Sequence, residues 1–293
     1  METTVEVRGV TTIKVGSVNL KLDAKDLIVL RLLEEHKFLT AQQIAKFLHT
    51  PNRLFASTIR LTTRYVKQLR DRKFITVNAR QVGGVGHGSD PQIWHLDKLG
   101  YDVLARLKTI ETGRVQKAYK APTYTFANHR VAINDTKLTF KHIADRFDQM
   151  KLGKVLLEEK SWRTYTDLAG KEASLRPDLY VETYRGDLKH HWFVEVDLNT
   201  ESPVRIVDKC RNYLDYLQST YATRDKDWCC GEFPAVLWIM PTVKRRDAIR
   251  RHIANNIPEF DDTQRPFIVI TPKELKGLVV DGKLGELEEL TYE

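Results

Sequence analysis

Cysteine is scarce in this chain: three in 293 residues, at Cys210, Cys229 and Cys230. Two are adjacent and none belongs to a Cys-x-x-Cys pair, which argues against a disulfide framework or a zinc knuckle. That fits a reducing cytoplasm. Long apolar runs are missing as well. The longest, Phe233 to Met240, is far short of the ~20 residues a transmembrane helix needs. The opening Met1-Glu2-Thr3-Thr4-Val5-Glu6 lacks the basic-then-apolar layout of a signal peptide. Membrane, secreted and collagen-like classes are thereby excluded. The one glycine-rich stretch, Gly83 to Gly88, is not followed by Gly-Lys-Ser/Thr, which excludes a phosphate-binding P-loop.

What the chain has is positive charge, and it is unevenly placed. The formal net charge is +8. Residues 1–110 hold 18 Lys and Arg against 10 Asp and Glu, while the remainder holds 29 of each. Within the first third, Arg53 to Arg80 carries eight basic residues and one acid, Asp71. Such asymmetry points to a nucleic-acid-binding module joined to a part with another task.

The pattern of the first third is specific. Asp23 is a good N-cap for a helix through His36, and Thr40 with Gln43 forms a capping-box signature for a short helix, AQQIAKFL. Pro51 ends it. A longer basic helix is predicted over 54–72, followed by strands at 74–77 and 92–96 and a helix over 98–107. Helix, short helix, basic helix, hairpin, helix is the order of a winged helix-turn-helix. In that geometry Arg53, Ser57, Thr58, Arg60, Thr62, Arg64 and Lys67 contact the major groove or its phosphates, and Arg80 and His87 lie at the wing tip. Double-stranded DNA is the expected partner. The domain is drawn at 20–110 and a linker at 111–126.

Residues 127–293 read as a second domain with the order α-β-β-β-α-β-α-β, satisfied by a central mixed sheet with helices on both faces. A helix is predicted over 127–150, with strands at 155–157, 175–184 and 190–198. A helix over 203–221, a strand at 233–240, a helix over 242–255 and a strand at 266–270 complete it. Asp178 begins one strand, and Glu195 and Asp197 sit two apart on the next, so they share a face. Glu158 or Glu159 is placed to extend that acidic cluster. Clustered carboxylates suit hard cations, Mg²⁺ or Mn²⁺, on Asp178 and Glu195. Such ions activate water for attack on a phosphodiester. Solvated histidines are the reading for His190 and His191. The basic run Lys244, Arg245, Arg246, Arg250 and Arg251 is either a second phosphate-contacting face or a solvated helix.

Pro177-Asp178 followed by Glu195-Val196-Asp197, on this element order, resembles the PD-(D/E)xK nuclease superfamily. Asn128 to Asp135, Leu175-Arg176-Pro177-Asp178 and the strand from Trp192 to Asp197, behind an N-terminal winged helix, resemble the replication-relaxation family of plasmids and mobile elements. That resemblance runs over roughly residues 20 to 275. It implies a PD-(D/E)xK-like α/β/α domain. Its catalytic set is Asp178, Glu195 and Asp197, with Lys209 positioning the nucleophile, because Asp197 stands where the superfamily has lysine. Two functions stay open: a metal-dependent DNA endonuclease or nickase, or a non-catalytic DNA-binding regulator or relaxosome accessory protein. In the second, a degenerate nuclease-like domain serves homodimerisation or docking of a relaxase or replication protein.

Overall fold

The computed structural model describes residues 4–7, 10–48, 54–78, 91–107, 123–167, 169–219, 221–225, 227, 233–258 and 266–282. The chain divides into two compact units, residues 1–138 and 139–291. Together they make a mixed α/β protein.

The first unit opens with a three-stranded antiparallel meander ahead of the expected domain start, β1 (Thr4–Val7), β2 (Val10–Val15) and β3 (Val18–Asp23). Thr12-Ile13-Lys14-Val15 alternates polar and apolar residues, and Gly16 supplies the positive φ of the turn to β3. Ile13 and Leu22 face the core. Helix α1 (Ala24–His36) starts at the Asp23 cap, whose carboxylate accepts from the Asp26 N–H at 2.7 Å. A two-residue strand, β4 (Leu39–Thr40), precedes α2 (Ala41–Leu48). Thr40 and Gln43 close the expected capping box in both directions, at 3.1 and 3.0 Å. Helix α3 (Phe55–Asp71), β5 (Ile75–Val77), β6 (Ile93–Leu96) and α4 (Lys98–Arg106) follow. The small sheet has the order β4-β6-β5. The core gathers Val29, Leu33, Ile44, Val66, Leu69 and Trp94 from α1, α2, α3 and β6, with Leu39, Ile75 and Val103 from β4, β5 and α4.

Helix α5 (Tyr124–Arg146) begins inside the stretch 111–126 that sequence assigned to a linker, and the rest of that stretch to residue 122 lies outside the described residues. Its first half belongs to the first unit. Asn134 there donates to the carbonyls of His36 and Phe38 at 3.1 and 2.9 Å, and the Gln43 side chain donates to Val131. The change of unit therefore falls within the helix.

The second unit is built on a five-stranded mixed sheet, order β13-β12-β11-β10-β7. Its strands are β7 (Met150–Leu157), β10 (Leu179–Arg185), β11 (Leu188–Val196), β12 (Ala235–Ile239) and β13 (Phe267–Ile270). The first three pair antiparallel and the last three parallel. The parallel steps are crossed by α6 (Pro203–Gln218) and α7 (Val243–Asn256), as parallel pairing requires. Tyr180, Phe193, Val236, Trp238 and Val269 pack with both helices. The alternate residues Leu179, Val194 and Leu237 are buried too, the signature of a sheet covered on both faces. One expectation is corrected. The strand read from Leu175 to Tyr184 is two elements, because Leu175 ends β9 (Glu172–Leu175), which pairs with β8 (Arg163–Thr166) as a separate ribbon.

Candidate functional site

Two places collect the chemistry. In the first unit it is the outer face of α3. Positions 58, 62, 66 and 69 recur at helical spacing and form its buried seam. Thr58 and Thr62, expected on the DNA face, are 8% and 2% exposed. They are corrected to core-facing residues: both are buried in the seam, and the Thr58 hydroxyl donates back to the Leu54 carbonyl. Ser57 is half-buried, while Arg60, Arg64 and Lys67 are exposed. They stand at i, i+4 and i+7, one stripe spanning about 10 Å along the axis. Among the described residues none of the three has a carboxylate partner. Arg70 is paired with Asp71, and Arg72 with Asp26 at 2.9 Å.

That last pair fixes the orientation of the stripe. Asp26, buried at the start of α1, accepts from both Arg72 and the Tyr65 hydroxyl. Burial and then the Asp26 hydrogen bond and charge push the Tyr65 phenol well above its ordinary range, so it remains a donor. Tyr65, between Arg64 and Lys67, and Arg72, just past the helix, thus tie α3 to the start of α1 while the three cations stay exposed. Arg53, Arg80 and His87, also assigned to DNA contact, lie outside the described residues.

In the second unit, Leu179 pairs with Val194 across β10 and β11. The next position out sets Asp178 against Glu195. The Asp178 carboxylate accepts from the Val196 N–H at 2.8 Å. Glu195, fully buried, meets α6: the Tyr213 hydroxyl donates to one oxygen at 2.7 Å and the Lys209 ammonium to the other at 3.2 Å. Lys209 also pairs with Glu201 at 2.9 Å. Burial pushes the Glu195 carboxyl up to about 7, against the pull of Lys209, with the Asp178 charge adding to the rise. For Lys209, burial is outweighed by Glu195 and Glu201, which hold its ammonium above the ordinary lysine range. Asp178, Glu195 and Lys209 thus converge. Tyr213 and Glu201 complete the set; Tyr213, four residues after Lys209 on the same helix face, carried the one signal by which sequence could have found it.

Asp197 is engaged elsewhere. It lies one residue past β11, where it accepts from the Asn199 N–H at 3.0 Å and from the Arg245 guanidinium at 2.8 Å. Arg245 also donates to the Glu201 carbonyl. Glu158 reaches Asp178 through its backbone, its N–H donating to the Asp178 carbonyl at 3.0 Å. Among the described residues no three Asp, Glu, His or Cys side chains group as a metal ion would require. With both Glu195 oxygens hydrogen-bonded, one of them to an ammonium, the donor set as arranged does not fit Mg²⁺ or Mn²⁺. The cationic charge beside Glu195 is supplied by lysine. His191 is hydrogen-bonded to the Tyr180 hydroxyl at 2.6 Å. On α7, Arg246 pairs with Glu274 at 2.5 Å and Arg250 donates to the Val269 carbonyl, so those two basic residues brace the fold.

An outward basic helix in one unit and a lysine-compensated carboxylate pair at a sheet end in the other define a two-unit mixed α/β protein. The model of the replication-relaxation family matches residues 30–229, and the chain belongs to that family. Membership ties it to the replication and relaxation of plasmid or mobile-element DNA. No curated protein and no solved structure matches it. Among the described residues no helix is long and apolar enough to cross a membrane.

Proposed function

We propose that the chain is a double-stranded DNA-binding protein of plasmid or mobile-element replication, relaxation or transfer, and that α3 is its DNA-contacting helix. The observation that carries this reading is the stripe Arg60, Arg64 and Lys67, exposed and without carboxylate partners among the described residues. Cations placed so exchange counterions for phosphates, which supplies sequence-independent affinity. The element order, with α3 third and the β5–β6 pair behind it, supports a winged helix-turn-helix arrangement. Ser57, at the edge of the stripe, is the nearest uncharged group for a base or phosphate contact.

The order of strands and helices in the second unit, with Asp178 set against Glu195, supports reading it as a PD-(D/E)xK-like domain. Its acids are satisfied by Lys209, Tyr213, Arg245 and backbone N–H groups, which supports a non-cleaving role. Supercoiled plasmid incubated with the protein and Mg²⁺ or Mn²⁺ tests this. Retardation without nicking is expected, unchanged in Asp178→Ala/Glu195→Ala. Metal-dependent nicking that the double variant abolishes would establish an endonuclease instead.

A further inference from the structure

We infer that the second unit carries its own nucleic-acid site, a groove for unpaired DNA bases beside the β8–β9 ribbon. A cleft of about 480 Å³ opens there between Trp162 and Thr164 on one side and Tyr216, Tyr221 and Arg224 on the other. Trp162 and Tyr221 are 40% and 45% exposed, the two large aromatics so exposed among this unit's described residues. The two rings are not scattered singly but line one cleft, the arrangement of a ligand groove rather than of an ordinary surface. The Arg176 guanidinium lies 4.9 Å over the Trp162 ring, steadied by the Ser174 hydroxyl at 3.0 Å. The Tyr221 hydroxyl is hydrogen-bonded to Thr166 at 3.3 Å. Both rings are therefore held from the ribbon.

The charge around them is positive and uncommitted. Arg176, over the Trp162 ring, and Arg224, on the cleft wall, have no carboxylate partner among the described residues. The acid on the cleft wall, Asp225, is buried and spoken for by Arg163 at 2.6 Å and by the Tyr216 hydroxyl at 2.8 Å. Arg176, which covers Trp162, lines a second cleft of about 280 Å³ with Arg205 and Lys209 and with the acids Glu195 and Asp208, which are paired with Lys209 and Arg211. Exposed rings interleaved with unpaired arginines are the chemistry that stacks bases and tracks phosphates along a single strand. A duplex hides its ring faces and offers nothing to Trp162 or Tyr221. The occupant is single-stranded DNA, of the kind exposed whenever a duplex is opened.

The site is independent of α3, and its test keeps the two apart. Binding of fluorescein-labelled dT12 to the full-length protein is followed by anisotropy, beside a labelled duplex and an oligo(U) of the same length. Trp162→Ala and Tyr221→Ala should each weaken dT12 binding about tenfold and leave duplex affinity unchanged, with Trp162→Phe close to wild type. The Arg60→Ala/Arg64→Ala/Lys67→Ala variant should lose duplex binding and keep dT12. Wild-type dT12 affinity in Trp162→Ala, or loss of both ligands in the α3 variant, would overturn the site. Tighter binding of oligo(U) than of dT12 would overturn DNA as its occupant.

Discussion

Arg163→Ala should destabilise the second unit by about 3–5 kcal/mol, the cost of leaving buried carboxylates without their cation. Arg163 is the centre of a dry network. Its Nε meets Asp225 at 2.6 Å, its Nη2 meets Asp227 at 2.5 Å, and Nη1 donates to the Ser161 carbonyl at 2.6 Å. Lys154 reaches only the outer oxygen of Asp227, also at 2.6 Å. All three members of the Arg163 cluster are more than nine-tenths buried. The network fastens β8 to the segment that follows α6, so its loss frees the ribbon. Arg163→Lys keeps the charge without the fork that spans two acids and a carbonyl, and should lie between wild type and alanine. Urea unfolding followed by circular dichroism reads all three. A change below about 1 kcal/mol in Arg163→Ala would show the network to be peripheral.

The second large effect concerns pH. Burial raises the Glu195 carboxyl from 4.5 to about 7. Between those values the folded protein holds a proton that the unfolded chain has released. Stability from this group is therefore complete below about pH 4.5 and lost as pH rises through about 7. Lys209 does not offset it, because its raised pKa acts only above the lysine range. Glu195→Gln removes the titration. Relative to that variant, the wild type should lose on the order of 3 kcal/mol between pH 5 and pH 8. Urea midpoints at the two pH values measure the difference. Should the wild type instead gain on glutamine as pH rises, Glu195 is charged throughout and the Lys209 pair outweighs burial.

Much of the frame was legible because local chemistry and tertiary structure agree. Thr40 and Gln43 cap α2 as their spacing predicts, and Asp23 caps α1. The apolar run Phe233 to Met240, read as a buried strand, contains β12 (Ala235–Ile239), which is paired on both edges. The misreadings have physical causes. Thr58 and Thr62 are polar by name, yet both are buried on the seam with Val66 and Leu69, and a helical wheel ranked by polarity alone sends them outward. The β8–β9 ribbon consists of RTYT and EASL, too short and polar to announce itself. What holds it, Arg163 on Asp225 and Asp227, spans over 60 residues of sequence. The partner of Asp197 was hidden in the same way, since Arg245 lies on a helix 48 residues on. Proximity of Asp178 and Glu195 was readable from their strands, but neutralisation by Lys209 and Tyr213 depends on how α6 packs.

The most direct measurement is the salt dependence of duplex binding. Affinity of the full-length protein for a mixed-sequence duplex is measured by anisotropy across a range of NaCl concentrations, for wild type and for Arg60→Ala/Arg64→Ala/Lys67→Ala. Each phosphate contact contributes about 0.9 to the slope of log K against log salt. The triple variant should bind more weakly and show a slope shallower by roughly 2.7. Equal affinity and equal slope in the two proteins would contradict α3 as the DNA-contacting helix.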